Sequence, residues 1–307
     1  MALVKAWLSS APAWLHASLP ALTVPLAWVQ RVRGPGNGVA LVYHRLAPEP
    51  GDHACELLPA IAVRDFERQL RLLRRRYRLV PASALLSAAW SRRRGARLPL
   101  AITFDDDDPG HLRWAAPALR TAGAPATFFL CGGSLTAPRT YWWERLQRLA
   151  DPAIHATAAR VEAMSAADRS AFDNGLARRL GPEPPDAGLR ASDVARLAAD
   201  FEIGFHTREH DPLDALTDDE LAAALRDGRD ELASAASQPL ATIAYPHGRA
   251  DARTAPAVAE AGFIAGFTTA GHALGPDTDP RLIGRLEPRS SSLGVFALKL
   301  AVAHLRR

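Results

Sequence analysis

Short apolar runs that stop abruptly on polar clusters recur along this chain, with helical stretches between them. Residues 98–104 read Leu-Pro-Leu-Ala-Ile-Thr-Phe and end on four aspartates, Asp105, Asp106, Asp107 and Asp108. Residues 201–205 end on His206, which opens the sequence His206-Thr-Arg-Glu-His210. Residues 241–245 end on Pro246, His247 and Gly248. Runs at 39–43 and 126–130 are of the same kind, and weaker ones lie at 265–269 and 282–286. Helical patterns occupy 66–76, 114–122, 218–236 and 255–261. Strand–helix alternation predicts a parallel sheet with helices packed on it. The C-terminal ends of such strands share one rim, so residues far apart in sequence can meet there.

The breaker cluster 34–38 marks the start of the main domain. Residues 145–200 hold Ala-rich helical segments and the Pro-rich turn 181–185, with no strand pattern, and read as a helical insertion. The organisation expected is a leading helical segment over 1–34, a barrel over 35–300 and a basic tail over 301–307. The leading segment carries no Asp, Glu, Lys or Arg between residues 6 and 30. Trp7, Trp14 and Trp28 recur on a helix-compatible face, but Pro12, Pro20 and Pro25 argue against an uninterrupted spanning helix. A secretory signal also fits poorly. Two readings stand: a helix packed on the domain, or an interfacial helix with Arg31 and Arg33 against an anionic surface. The expected location is cytoplasmic or peripheral to the inner membrane.

Composition removes several function classes. Cys55 and Cys131 are the only cysteines, too few for a disulfide framework or a Cys-rich zinc module. Net charge is +4 and rests on arginine, since Lys5 and Lys299 are the only lysines. No nucleic-acid reading motif accompanies that charge, so nucleic acid is not expected as a partner. Residues 34–38 lack the Lys-Ser/Thr of a phosphate loop.

The polar clusters carry the chemistry. Four adjacent aspartates repel one another, and a divalent cation would relieve that cost. Alone, they suit equally a solvated turn or an N-cap for a helix starting near Pro109. His206 and His210 stand four apart, a spacing that puts two imidazoles on one side of a helical turn. Neutral imidazole is a common ligand for Zn, Ni, Co and Fe. One Asp with two His leaves coordination positions open for water and substrate, as a catalytic site needs. The pattern is not His-Glu-x-x-His, because Glu209 adjoins the second histidine.

Taken in order, Thr103-Phe-Asp-Asp106, His206-Thr-x-x-His210 and Ala244-Tyr-Pro-His-Gly248 resemble the motifs of the polysaccharide deacetylases, the NodB-homology group or carbohydrate esterase family 4. Tyr43-His44, residues 124–129 and Tyr141-Trp-Trp-Glu144 add to the likeness. The resemblance implies an α/β fold, a distorted (β/α) barrel of about seven parallel strands. It implies one divalent metal ion, usually Zn2+, and removal of acetyl groups from sugars. By position, Asp105 would be the general base, and Asp106, His206 and His210 the metal ligands. Tyr245, Pro246 and His247 would line the substrate, with the backbone N–H of His247 facing the oxyanion.

This chain departs from the family pattern in three places. Asp107 stands where a glycine is usual. Ala244 stands where an arginine normally orients the base. The usual acid-bearing histidine motif is absent, so His44, at the end of the first strand, is the first choice for the acid. His247, His111 and His272 are alternatives. Trp142 and Trp143 are expected to be packed rather than to stack a sugar. Arg285 and Arg289 are expected as surface charges, with replacement of the missing arginine or binding of an anionic substrate as the alternatives. Cys131 reads as a buried small hydrophobe. The function expected is metal-dependent deacetylation of an N-acetylated sugar in a glycan or a lipid-linked precursor. A small-amide amidase and an inactive glycan-binding protein remain the alternatives.

Overall fold

The structure is a computed structural model that describes residues 34–288 and 292–303. The expectations for residues 1–33, for Arg289 and for residues 304–307 lie outside the described residues. The strands are β1 (Val39–Tyr43), β2 (Leu46–Ala47), β3 (Ile61–Ala62), β4 (Arg78–Val80), β5 (Pro99–Asp105), β6 (Thr127–Leu130), β7 (Glu202–Phe205), β8 (Thr242–Ala244), β9 (Ala265–Phe267) and β10 (Arg285–Leu286). The main sheet runs β10-β1-β5-β6-β7-β8-β9, and all its ladders are parallel. A parallel bridge from Phe267 to Ile283 brings β9 beside the chain entering β10, which closes seven strands into a barrel. β4 shares one edge of β5 with β6: β4 pairs Pro99 to Ala101, and β6 pairs from Thr103 onward.

Side-chain alternation sorts each strand into two rows. Leu100, Ile102 and Phe104 of β5, Phe128 and Leu130 of β6, and Ile203 and Phe205 of β7 join the large core beneath the helices. The opposite row, with Ala40, Ala101, Phe129, Ala244, Ala265 and Phe267, fills the barrel interior. The interior row is mostly small, which leaves room for the rings of Phe129 and Phe267, 5.4 Å apart. Thr103, Asp105 and His206 continue these inward rows. Their polar groups therefore emerge on the barrel axis at the C-terminal rim.

The helices Trp142–Arg148, Ile154–Glu162, Ala166–Leu180 and Ala191–Ala198 lie between β6 and β7. The first three pack through a third cluster around Tyr141, Trp142, Trp143, Ile154 and Leu176.

The expected single helix over 218–236 is two, Asp218–Ala224 and Arg229–Ala236, divided at Gly228 with φ 80°. The helix Leu293–Ala303 runs into what was expected to be a basic tail starting at 301. β4 was missed because three residues do not establish a period, and Arg78 and Pro81 flank its apolar pair. Among the described residues, no helix is long and apolar enough to cross a membrane.

Gly204 sits in the middle of β7, where a Cβ would drive into the Phe129 ring. We expect Gly204→Ala to destabilise the protein by about 1–3 kcal/mol through overpacking, measured by chemical denaturation.

Candidate metal and catalytic site

Two strand ends, of β5 and β7, supply the central cluster. β5 delivers Asp105 and Asp106, β7 delivers His206, and the loop after β7 returns His210. Asp106 Oδ1 lies 3.5 Å from His206 Nε2 and 3.3 Å from His210 Nε2. The three residues are buried, and their potential ligand atoms all lie within 4.8 Å of one another. His206 Nδ1 lies 2.8 Å from the carbonyl of Ala244 and can only donate to it. That bond fixes the neutral tautomer with its Nε2 lone pair turned inward. Asp106 Oδ1 has no hydrogen-bond partner despite its burial. An orphaned carboxylate oxygen facing two ring nitrogens is the donor set that a small divalent cation would satisfy.

The expected helical turn over 206–210 is instead an irregular loop. Thr207 and His210 are left-handed there, with φ 56° and 57°, and this brings the two imidazole centroids to 4.8 Å. Asp106 and His247 are left-handed too, with φ 72° and 57°. Non-glycine residues in that region cost about 1–3 kcal/mol each and tend to gather at functional sites.

Asp105 faces a different partner. Arg285 Nη1 and Nη2 donate to its two oxygens at 2.6 and 2.7 Å. Nη1 also donates to Thr103 Oγ1 at 3.1 Å, and Nε donates to the carbonyl of Thr268 at 3.1 Å. Arg285 is 1% exposed, which corrects its reading as a surface charge. It supplies from β10 the arginine missing at Ala244. The clue in the sequence was positional: Arg285 falls in the same row as Ile283, inside an apolar strand.

Electrostatics follow this geometry. Burial opposes ionisation of Asp105, but the charges of Arg285 and His206 outweigh it and hold the carboxyl below its ordinary range. Burial likewise opposes ionisation of Asp106, and the imidazoles of His206 and His210 hold it well below that range. Burial lowers His210, only partly offset by Asp106. His206 is raised, because Asp105 and Asp106 overcome its burial.

The other two aspartates turn away from the cluster of Asp106, His206 and His210. Asp107 accepts backbone N–H groups from Cys131, Gly132 and Gly133 at 2.9, 3.2 and 3.2 Å, and the hydroxyl of Ser134 at 3.3 Å. It fastens the loop after β6 to the rim. Asp108 accepts from Gly110 N at 2.7 Å and pairs with Arg45 at 3.2 Å, capping the turn that follows. His111, in a π-helical turn, is fully buried, with Nε2 at 2.9 and 3.0 Å from the carbonyls of Asp105 and Asp106. It braces the Asp105–Asp106 backbone and is in no position to serve as the acid.

Of the remaining candidates, His44 is half-buried at the end of β1, and its charge helps to hold down both Asp105 and Asp106. The His247 ring lies 4.8 Å from that of His210, and its Nε2 is buried without a partner. Burial, with His210 and Arg169 nearby, keeps it well below the usual histidine range. Pro246 is buried at the rim. Tyr245 turns its phenol outward to the carbonyl of Arg281, so only its backbone faces the site. His272 lies in the loop after β9, with Nδ1 at 3.3 Å from the carbonyl of Ala273. Cys131 is fully buried, and burial pushes its thiol well up.

Trp142 and Trp143 are packed, as expected, and Trp143 has a second role. Its ring stacks on Tyr141 at 4.7 Å and lies 4.4 Å from His210, forming a wall behind that imidazole. Glu144 was quoted only as part of a motif. Its Oε2 accepts Tyr141 N at 2.8 Å and caps the helix Trp142–Arg148. Burial pushes its carboxyl up to about 8 against that bond, helped by the charges of Asp108 and Asp106.

The polysaccharide deacetylase family model matches residues 93–266. No curated protein matches the chain. Several solved structures share its fold. A deacetylase, PplD, from Streptococcus pyogenes, solved with acetate, aligns with TM-score 0.60 and 18% identity over 83% of this chain and 93% of its own. IcaB from Ammonifex degensii gives 0.58 and 21% over 86% and 98%. A de-N-acetylase from Aggregatibacter actinomycetemcomitans gives 0.60 and 14% over 85% and 99%.

Two predictions follow from the charges. Arg285→Met leaves the Asp105 carboxylate buried and uncompensated. It should cost about 3–5 kcal/mol at neutral pH, and adding Asp105→Asn should recover part of that loss in denaturant melts. Glu144 binds a proton in the folded chain that the unfolded chain releases above its ordinary acid range. Its contribution to stability is therefore present at acid pH and lost as pH rises toward about 8. In chelator-treated protein, Glu144→Gln should gain on wild type by roughly 1–3 kcal/mol between pH 5 and 8. A constant difference across that range would contradict the assignment.

Proposed function

The chain belongs to the polysaccharide deacetylase family, carbohydrate-acting hydrolases, and from that ground we propose that it removes the acetyl group from an N-acetylated sugar within a glycan. The observation that carries this reading is the convergence of Asp106, His206 and His210 beside an Arg285-bound Asp105. Asp106, His206 and His210 would hold one divalent cation, with Zn2+ the best match to two imidazoles and a carboxylate. Such a cation supplies an acidified water and a polarised acetyl carbonyl.

The chain's own groups do the rest. Asp105 accepts the proton of the attacking water. Its low pKa makes it a weak base, suited to an already acidic water. Arg285 keeps it ionised and fixes the plane of its carboxyl group. The backbone N–H of His247 is left to donate to the developing oxyanion, since Pro246 has no N–H and that of Tyr245 is held by the carbonyl of Phe267 at 2.9 Å. His44 is proposed to return a proton to the leaving nitrogen. His247 is the weaker candidate because its environment keeps it neutral.

Two depressions flank the site and favour an extended substrate over a small amide. One, of about 320 Å3, adjoins His44 and includes Arg45, His53, Asp65 and Glu287. The other, of about 600 Å3, lies beside His210 and includes Tyr141, Trp142, Glu209 and Asp211.

Elemental analysis of purified protein should find near-stoichiometric metal, lost together with acetate release in Asp106→Ala and His206→Ala. Asp105→Asn should keep the metal and lose about 100- to 10,000-fold in turnover of N-acetylated glucosamine oligomers. Full activity in Asp105→Asn would remove it from the role of base.

A further inference from the structure

The chain's positive charge is concentrated on one part of the barrel. Residues 63–98 carry eleven of its 37 basic residues and two of its 33 acidic ones, so the rest of the chain is net acidic. An overall bias toward arginine does not account for a segment from which acids are nearly absent. The structure gathers much of this charge at the N-terminal end of the barrel. Arg78 opens β4 opposite Pro99, the first residue of β5. Arg97 Nη1 donates to the carbonyl of Arg74, at the end of the helix Val63–Arg76. Arg74, Arg75, Arg78, Arg93, Arg94 and Arg97 are exposed and form no ion pair among the described residues.

Two apolar features share this end. Trp90, the last residue of the helix Leu85–Trp90, is 53% exposed beside Arg93 and Arg94. The chain also enters the barrel here: Arg92 Nη2 donates to the carbonyl of Gly34 at 2.8 Å, and Gly36 N donates to that of Ala89 at 2.8 Å. Gly34 and Gly36, among the first described residues after the uncharged, tryptophan-bearing sequence 6–30, therefore lie at the arginine-rich face.

We propose that this basal face docks on an anionic lipid bilayer, with the arginines against headgroup phosphates and Trp90 at the interface. Clustered arginines supply attraction to anionic headgroups, and tryptophan favours the headgroup level. Nucleic acid would engage the arginines but gives no reason for an exposed Trp90 among them. β5 runs from this face to Asp105, about 20 Å away, so docking would turn the catalytic rim toward the aqueous side. The proposal stands independently of the reaction assigned to that rim.

Flotation of the full chain would test it, with vesicles of phosphatidylcholine alone and of phosphatidylcholine with about one third phosphatidylglycerol, at low and high salt. Wild type should bind the anionic vesicles, release at high salt and ignore the neutral ones. Arg93→Glu, Arg94→Glu and Arg97→Glu together should weaken binding about a hundredfold, with acetate release from a soluble substrate and the melting temperature unchanged. If that variant folds poorly, the corresponding triple Gln variant should show a smaller loss in the same direction, as should Trp90→Ser. Equal binding to neutral vesicles would overturn the proposal. So would undiminished binding by the folded variants, since binding would then belong to residues 1–33. Tighter retention on RNA than on anionic vesicles would overturn it in favour of a nucleic-acid surface.

Discussion

The Asp105–Arg285 pair joins the first of the rim carboxylates to the strand that closes the barrel. Each partner is costly to bury alone. Together they satisfy both carboxylate oxygens, and Arg285 spends its other donors on Thr103 and on the carbonyl of Thr268. Thr103 passes the bond on to the carbonyl of Leu41 in β1. The network thus ties β10, β5, β1 and the end of β9 at one level of the barrel. Barrel closure and the ionisation of Asp105 rest on the same contacts. A chain that failed to seat β10 would lose both.

The barrel interior explains why such a long charged side chain fits. Ala40, Ala101, Gly204, Ala244 and Ala265 keep the lumen wide, and Phe129 and Phe267 floor it. The guanidinium of Arg285 lies 5.6 Å from the centre of the Phe129 ring. Ala244 takes on meaning in this light. An arginine there would compete with Arg285 for the same space and the same carboxylate. The alanine at 244 and the buried charge at Arg285 read as one exchange, in which the guanidinium has moved to another strand while its contact with Asp105 remains.

Much of this was legible in the sequence, and the limits have physical causes. The strands β1, β5, β6, β7 and β8 announced themselves because both faces are buried, which gives near-continuous apolar runs. Asp105, Asp106, His206 and His210 were legible because polar residues at the ends of such runs have one rim to occupy. What escaped was what local pattern does not encode. Arg285 lies in a two-residue strand, and its one positional clue, the row it shares with Ile283, does not name Asp105 as its partner. His206 and His210 suggested a helical turn by their spacing, yet left-handed residues at Thr207 and His210 bring them together. Asp107 adjoins Asp106 in sequence, and only the positions of the Cys131, Gly132 and Gly133 amides show that it belongs to the neighbouring loop.

The run of four aspartates is therefore four different interactions in consecutive residues. The alternating direction of the side chains, broken by the left-handed turn at Asp106, sends one to an arginine, one to two imidazoles, one to a loop and one to a helical turn. Three of these contacts immobilise the backbone around Asp106, and His111 adds a fourth from below. Asp106 is the exception, since its inward oxygen keeps no protein donor. Rigidity on every side with one orphaned atom at the centre is how a site can remain ready for a ligand that the chain does not itself provide. Local repulsion among the aspartates is relieved by separate partners, which leaves the ligand cluster's negative charge to be met from outside.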